Sequence, residues 1–319
     1  MMKGIGILLV MIGHAWEIPL EKRFIVYSFH MPLFFIIAGY FSKSYADGQN
    51  DFTIVKHYFK RLVPPFVFTT MLTFMFFCFN GFAQNDFTPA IRKLMSLFWA
   101  DVNVLQTGFG PVNIGVVWFL LALFWAKTFL LFLSRWGKWV LPISFVLSAG
   151  ALLLHKVFPY SVWCLSLGLV CLPFVAFGWW LRQNKLPLWI KVCLILAWLV
   201  AIKISHLDIY SYNWGRYPLD VIGACGGTCF LYLICKLLNK DSLKRYIGWL
   251  QKSLVYLGFI SLAIMCFHCF EMETDLGNYL RALVGINMPV WALYVWRYAL
   301  TIALAVAAVH VPKIKKIFV

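Results

Sequence analysis

The chain has 319 residues, 62% of them hydrophobic and only 13% charged, with a formal net charge of +16 and a mean hydropathy of +0.81. A soluble domain needs about a quarter of its residues charged to cover its surface, so this chain must use lipid as a solvent. Its basic residues form small groups between apolar runs rather than one patch, which excludes a nucleic-acid partner, and its nine cysteines lie mostly inside those runs, which excludes a disulfide-stapled secreted domain.

A spanning helix needs about 20 mostly apolar residues. Ten runs qualify, at 1–18, 24–45, 64–82, 114–134, 138–156, 160–181, 187–204, 217–238, 254–272 and 288–310. The first run is followed by GHAWEIPLEKR rather than a small-residue cleavage pattern, so it reads as a retained span and not a signal peptide. Segments 51–63 and 87–100 are mixed in character and read as interfacial helices. No internal repeat or long linker is visible. The expected fold is therefore all-α, a polytopic transmembrane helix bundle of about ten spans, formed by one domain over residues 1–319.

Orientation follows from the alternation of charge between loops. Lys3, the Lys56–Lys60–Arg61 group, Arg135, Arg182 and the lysines near both 240 and 315 share one side, whereas Glu17, Glu21, Asp86, Asp101 and Asp208 share the other. By the positive-inside rule both termini are expected in the cytoplasm. The partner implied throughout is the lipid bilayer of a cell (inner) membrane.

Ionisable side chains at membrane depth are costly and point to function. His14 follows Lys3 by about 16 Å of helix, His30, in SFHMPLFFIIAGYFSK, lies roughly 9 Å into the run 24–45, and His268 stands about 21 Å up its own run. Trp118, in GVVWFLLALF, has a similar height. Four side chains from four runs are thus expected in one layer, which could be an active site; the alternative for each is a helix–helix contact worth about 1 kcal/mol. Lys127 and Arg297 also fall inside runs, as snorkelling side chains or as members of an internal ion pair.

Three further motifs have competing readings. Cys266-Phe-His-Cys269 lacks the fourth ligand that tetrahedral zinc needs, so no metal site is expected. GACGG, with Gly223 and Gly227, is a small-xxx-small pattern for helix packing. KHYFKRLVPPF places Lys56, His57, Lys60 and Arg61 before Pro64 and Pro65, where they either hold phosphates or supply ordinary positive-inside charge.

Taken in order, KGIGILLVMIGH, FHMPLFFIIAGYFSK, KRLVPPF, VWFLLALF, LPFVAFGWWLR and YLGFISLAIMCFH make the chain resemble the acyltransferase family 3 membrane proteins, most closely the branch similar to fucose 4-O-acetylases. The resemblance implies a ten-helix enzyme with no bound cofactor. Such an enzyme moves an acyl group, usually acetyl, from cytosolic acyl-CoA to a hydroxyl of an extracytoplasmic carbohydrate or glycolipid. His14 matches the family's first-helix histidine, the expected catalytic residue. Lys3 holds the position where the family usually has an arginine, with ten residues between it and the histidine. Arg61, beside Lys60, matches a basic position expected to contact the CoA phosphates, and Trp118 and His268 match two further motifs. His30 is then expected to line the acceptor path, with Met31 and Pro32 bending the run to open it. A histidine suits the chemistry, because taking a proton from a hydroxyl at neutral pH calls for a base with a pKa near 6.5. The competing reading is a transporter or flippase for a lipid-linked sugar, although the absence of an internal repeat counts against it.

Overall fold

The computed structural model describes residues 1–15, 18–43, 50–285 and 287–318. Glu17, counted above among the acidic residues, and the last residues of the run 24–45 lie outside them. In chain order the helices are α1 (Met2–Gly13), α2 (Leu20–Tyr27), α3 (His30–Tyr40), α4 (Asp51–Gln84), α5 (Thr88–Trp99), α6 (Trp118–Leu133), α7 (Val140–Val157) and α8 (Leu165–Val170). They continue with α9 (Leu172–Gln183), α10 (Leu188–Ile204), α11 (Leu219–Leu238), α12 (Asp241–Phe259), α13 (Ser261–Thr274), α14 (Leu276–Val284), α15 (Val290–His310) and α16 (Pro312–Phe318). Among the described residues there are also two 3-10 helices (Gly115–Val117 and Ser134–Trp139) and two small antiparallel hairpins: β1 (Leu105–Thr107) pairs with β2 (Gly110–Val112), and β3 (Leu207–Asp208) with β4 (Asn213–Trp214).

The fold is all-α in character, but the expectation of about ten spans is overturned. Among the described residues five helical stretches are long and apolar enough to cross a membrane: Arg23–Tyr40, Asp51–Gln84, Gly115–Val157, Leu219–Leu238 and Val290–His310. The number rises to six if Asp241–Phe259 and Ser261–Thr274 count as one span. Hydropathy sums apolar residues without asking whether one helix holds across them. The run 1–18 yields only the 12 residues of α1, about 18 Å of helix against a hydrocarbon core of about 30 Å. The run 160–181 is divided at Cys171 between α8, with 6 residues, and α9, with 12. The run 187–204 forms α10, 17 residues long, and the run 254–272 breaks at Ile260. The runs 114–134 and 138–156 belong to one stretch. Without ten alternating spans, the placement of both termini in the cytoplasm loses its basis as well.

A second correction concerns Pro64 and Pro65. They were expected to separate an interfacial helix from a span, yet α4 runs through both over 34 residues. In an apolar setting the backbone has no alternative to intrahelical bonding, and hydroxyl side chains adjust locally around a proline. Here the Thr69 hydroxyl donates to the Pro65 carbonyl at 2.9 Å and the Thr73 hydroxyl to the Thr69 carbonyl at 3.0 Å.

The chain divides into two compact units, with the boundary running through α4 and α6. The first comprises residues 1–58, 122–159 and 166–259; the second comprises 59–121, 160–165 and 260–319.

In the first unit the main packing pairs are α10 with α11, α3 with α9, and α1 with α12. The α3–α9 contact is a reciprocal glycine approach. A Cβ on Gly39 would land on the Val175 carbonyl, and one on Gly178 would land on the Ile36 carbonyl. Lipid tails compete with any apolar side chain, so helices cohere where small residues bring their backbones into contact. GACGG works in the same way between α11 and α10, where Gly226 meets the Leu194 carbonyl, while Gly227 faces Phe29. A buried cluster of Phe29, Leu33, Trp198, Leu231 and Cys235 fills the space nearby. The Trp198 indole donates to the Ser28 hydroxyl at 2.8 Å, which satisfies the one polar atom that ring brings inside.

The second unit is held by buried charge. Asp101, fully buried, accepts from the Val102 amide at 2.6 Å, from the Ser161 amide at 2.7 Å and from the Ser161 hydroxyl at 2.9 Å. Arg297 of α15 grips Glu271 of α13 with two parallel bonds, Nε to Oε1 at 2.6 Å and Nη2 to Oε2 at 3.1 Å. Of the two readings of Arg297, the internal ion pair is the one realised. Lys93 of α5 pairs with Glu273 at 2.6 Å.

Two outcomes follow. Gly39→Val should cost about 1–3 kcal/mol through forced separation of α3 and α9, read as a lower unfolding temperature in detergent. Gly150→Ala, inside α7 where a Cβ meets open space, should instead raise that temperature slightly, by the about 0.5–1 kcal/mol that alanine gains over glycine in a helix. Glu271→Ala leaves the Arg297 guanidinium with Asp275 at 3.4 Å in place of its two-bonded partner and should cost about 1–3 kcal/mol, whereas Glu271→Leu combined with Arg297→Met should recover much of the loss.

Candidate functional site

The first unit brings His14 and His30 against one aromatic ring. Tyr27 lies with its centroid 6.2 Å from that of His14 and 5.1 Å from that of His30, edge-on to the latter. Each histidine is tied to its own helical turn. His14 Nδ1 lies 2.8 Å from the Val10 carbonyl and His30 Nδ1 lies 2.8 Å from the Val26 carbonyl. A carbonyl can only accept, so in both rings Nδ1 carries the hydrogen. The neutral ring then keeps its lone pair on Nε2, the tautomer needed to receive a proton from a substrate. His30 is 2% exposed, while His14, at the C-terminal end of α1, is half-buried.

Arg23 organises the segment between these histidines. Its guanidinium donates to the Ile18 carbonyl at 3.0 Å and to the Gly13 carbonyl at 3.4 Å, and it hydrogen-bonds Tyr27. The bond to Gly13 pins the end of α1 directly beside His14. Arg23 and Asp208 both lie within electrostatic reach of the His14 ring. Asp208 ends β3, where its carboxylate accepts from the Ser211 hydroxyl at 2.7 Å and the Tyr210 amide at 3.1 Å. Sequence reading missed Arg23, Tyr27 and Asp208 as neighbours of His14. The i, i+4, i+7 spacing of Arg23, Tyr27 and His30 was the available signal. Nothing in the sequence points to Asp208, because the tertiary fold alone delivers it.

Lys3 and His14 stand on the same helix. With ten residues between them they differ by about 20° around the axis and about 16 Å along it, so they share one face of α1. Around the Lys3 end lies a cavity of about 760 Å³, whose lining includes Ile36, Tyr40, Lys185, Lys191 and Tyr232.

The remaining residues singled out from the sequence belong to the second unit. His268 is 1% exposed in α13, with its ring edge-on to Tyr298 at 6.1 Å. Trp118 is buried at the start of α6 against Phe119. Lys60 and Arg61 are exposed on α4. His14 and His30 thus lie in the first unit, and Trp118 and His268 in the second. Lys127, in the first unit, places its ammonium 4.0 Å from the Tyr58 ring centroid, a cation–π contact. Among the described residues no three His, Cys, Asp or Glu side chains are grouped to hold a metal ion.

Arg23→Lys tests the organising role, since a single ammonium cannot serve two carbonyls and a phenol in the fixed fork of a guanidinium. The variant should lose about 1–3 kcal/mol, measured by thermal unfolding in detergent.

A family model described as an acyltransferase domain, that of acyltransferase family 3, matches residues 1–310. No curated protein and no solved structure matches the chain. With nearly the whole length matched, and with several helices long and apolar enough to cross a membrane, the chain belongs to acyltransferase family 3 and is a multi-pass membrane acyltransferase.

Proposed function

We propose that the chain is an O-acyltransferase of a cell (inner) membrane, closest in kind to the fucose 4-O-acetylase-like branch of its family. It moves an acyl group, acetyl in the first instance, from cytosolic acyl-CoA to a hydroxyl of an extracytoplasmic or lipid-linked carbohydrate, and it works as one domain over residues 1–319. His14 is the base. Its Nε2 takes the proton of the acceptor hydroxyl as that oxygen attacks the thioester carbonyl. The tetrahedral intermediate then expels the CoA sulfur, which takes the proton from Nε2 as the C–S bond breaks. The products are the ester and free CoA, and His14 returns to its starting tautomer. His30 lines the acceptor path, Trp118 and His268 support it, and Lys3, Lys60 and Arg61 contact the CoA phosphates.

The observation that carries this reading is the bond between His14 Nδ1 and the Val10 carbonyl. It presets the tautomer, so no proton has to be rearranged before the acceptor is deprotonated. Lys3 on the same face of α1 supports it further, because an anion held there and a reacting group at His14 are related by one rigid helix.

His14→Asn separates the two roles of the ring. Asparagine can donate to the Val10 carbonyl from roughly the place of Nδ1, but it offers no base. Transfer of radiolabelled acetyl from acetyl-CoA to surface-glycan precursors in membranes should fall by about 10²–10⁴-fold, with unfolding temperature retained. Undiminished label in this variant would sink the assignment. Movement of a lipid-linked sugar across the membrane without any label transfer, in the native chain, would favour the transporter.

A further inference from the structure

We propose that the cavity around the first turn of α1 is a binding site for a phosphate-bearing amphiphile, with Lys185 and Lys191 joining Lys3 as the side chains that hold the anion. The three lysines reach the cavity from separate elements: Lys3 from α1, Lys185 from the connection after α9, and Lys191 from the first turn of α10. No acidic residue is among the described residues that line it. Three lysines along one cavity wall with no carboxylate among the described lining residues create a local positive field that favours an anion. Lysine presents a compact point charge with three donors, which suits the several oxygens of a phosphate.

The rest of the wall fixes the other half of the ligand. Ile36 and Ile37 give the cavity an apolar side. Tyr232 also lines it, with the Lys191 ammonium 5.4 Å from its ring centroid. A ring already engaged by a cation can accept a planar or apolar group on its remaining surface while the ammonium reaches the anion. The volume of about 760 Å³ falls in the range of small-molecule sites. An anionic head beside an apolar wall calls for a ligand with a phosphate at one end and an apolar or extended chain at the other. Acyl-CoA and an anionic phospholipid both have that character. That the occupant is the acyl donor rests on the proposed function, while the cavity's preference for a phosphate amphiphile does not.

The test uses the full chain in nanodiscs and the double variant Lys185→Gln/Lys191→Gln, with Lys315→Gln/Lys316→Gln on α16 as a charge-matched control. Acetyl-CoA affinity is measured by calorimetry, and retention of phosphatidylglycerol by native mass spectrometry. The double variant should weaken one of these ligands by about tenfold or more, the control should weaken neither, and the native affinity should fall as salt rises. Loss confined to acetyl-CoA identifies the donor. Loss confined to phosphatidylglycerol identifies a lipid headgroup as the occupant and leaves the donor elsewhere. If neither ligand is weakened, the proposal is overturned, even where His14→Asn abolishes acetyl transfer and the transferase reading stands. If the double variant loses binding while the native chain transfers no acetyl group, the site stands and the transferase reading falls.

Discussion

Within hydrocarbon no water is available to a peptide group, and every backbone donor and acceptor must find its partner inside the protein. That constraint makes this chain helical even where its sequence argues for interruption, as at Pro64 and Pro65 within α4. It also removes the usual hydrophobic force between helices, because lipid is as apolar as a leucine side chain. Cohesion then depends on close backbone approach. The reciprocal placement of Gly39 against Val175 and Gly178 against Ile36 joins α3 to α9 at a separation that no side-chain interface could reach. His30 is held at the head of the α3 that this contact anchors.

The two units manage polarity differently. The second sets its acidic groups against named partners: Arg297 with Glu271, Lys93 with Glu273, and Ser161 with Asp101. The first unit gathers its polar groups around Tyr27, where two imidazoles each turn Nδ1 to a backbone carbonyl.

Helix α1 shows what a short element can do that does not depend on spanning. Twelve residues do not cross a bilayer, but they suffice to relate Lys3 to His14 rigidly on one face. The helix ends where the His14 ring turns back to the Val10 carbonyl, and the Arg23 guanidinium reaches the Gly13 carbonyl one residue earlier. The catalytic candidate thus occupies a terminus that both its own side chain and a neighbouring cation define.

The amino-acid sequence by itself determined the solvent, the helical class and the family, because composition and ordered local motifs need no knowledge of contacts. It also exposed His14, His30 and His268 as anomalies, since an ionisable ring in an apolar run stands out in one dimension. It could not determine the number of spans. Continuity of a helix depends on breaks at residues such as Cys171 and Ile260, which are apolar and invisible to a hydropathy sum. Nor could it supply the neighbours of His14. Arg23 read as one more loop charge and Asp208 as one more acidic residue until tertiary packing placed them near the ring. The choice for Arg297 between snorkelling and pairing was likewise decided only when α13 set Glu271 beside it. Residue type and periodicity are local properties, whereas a partner far along the chain is chosen by how the helices pack.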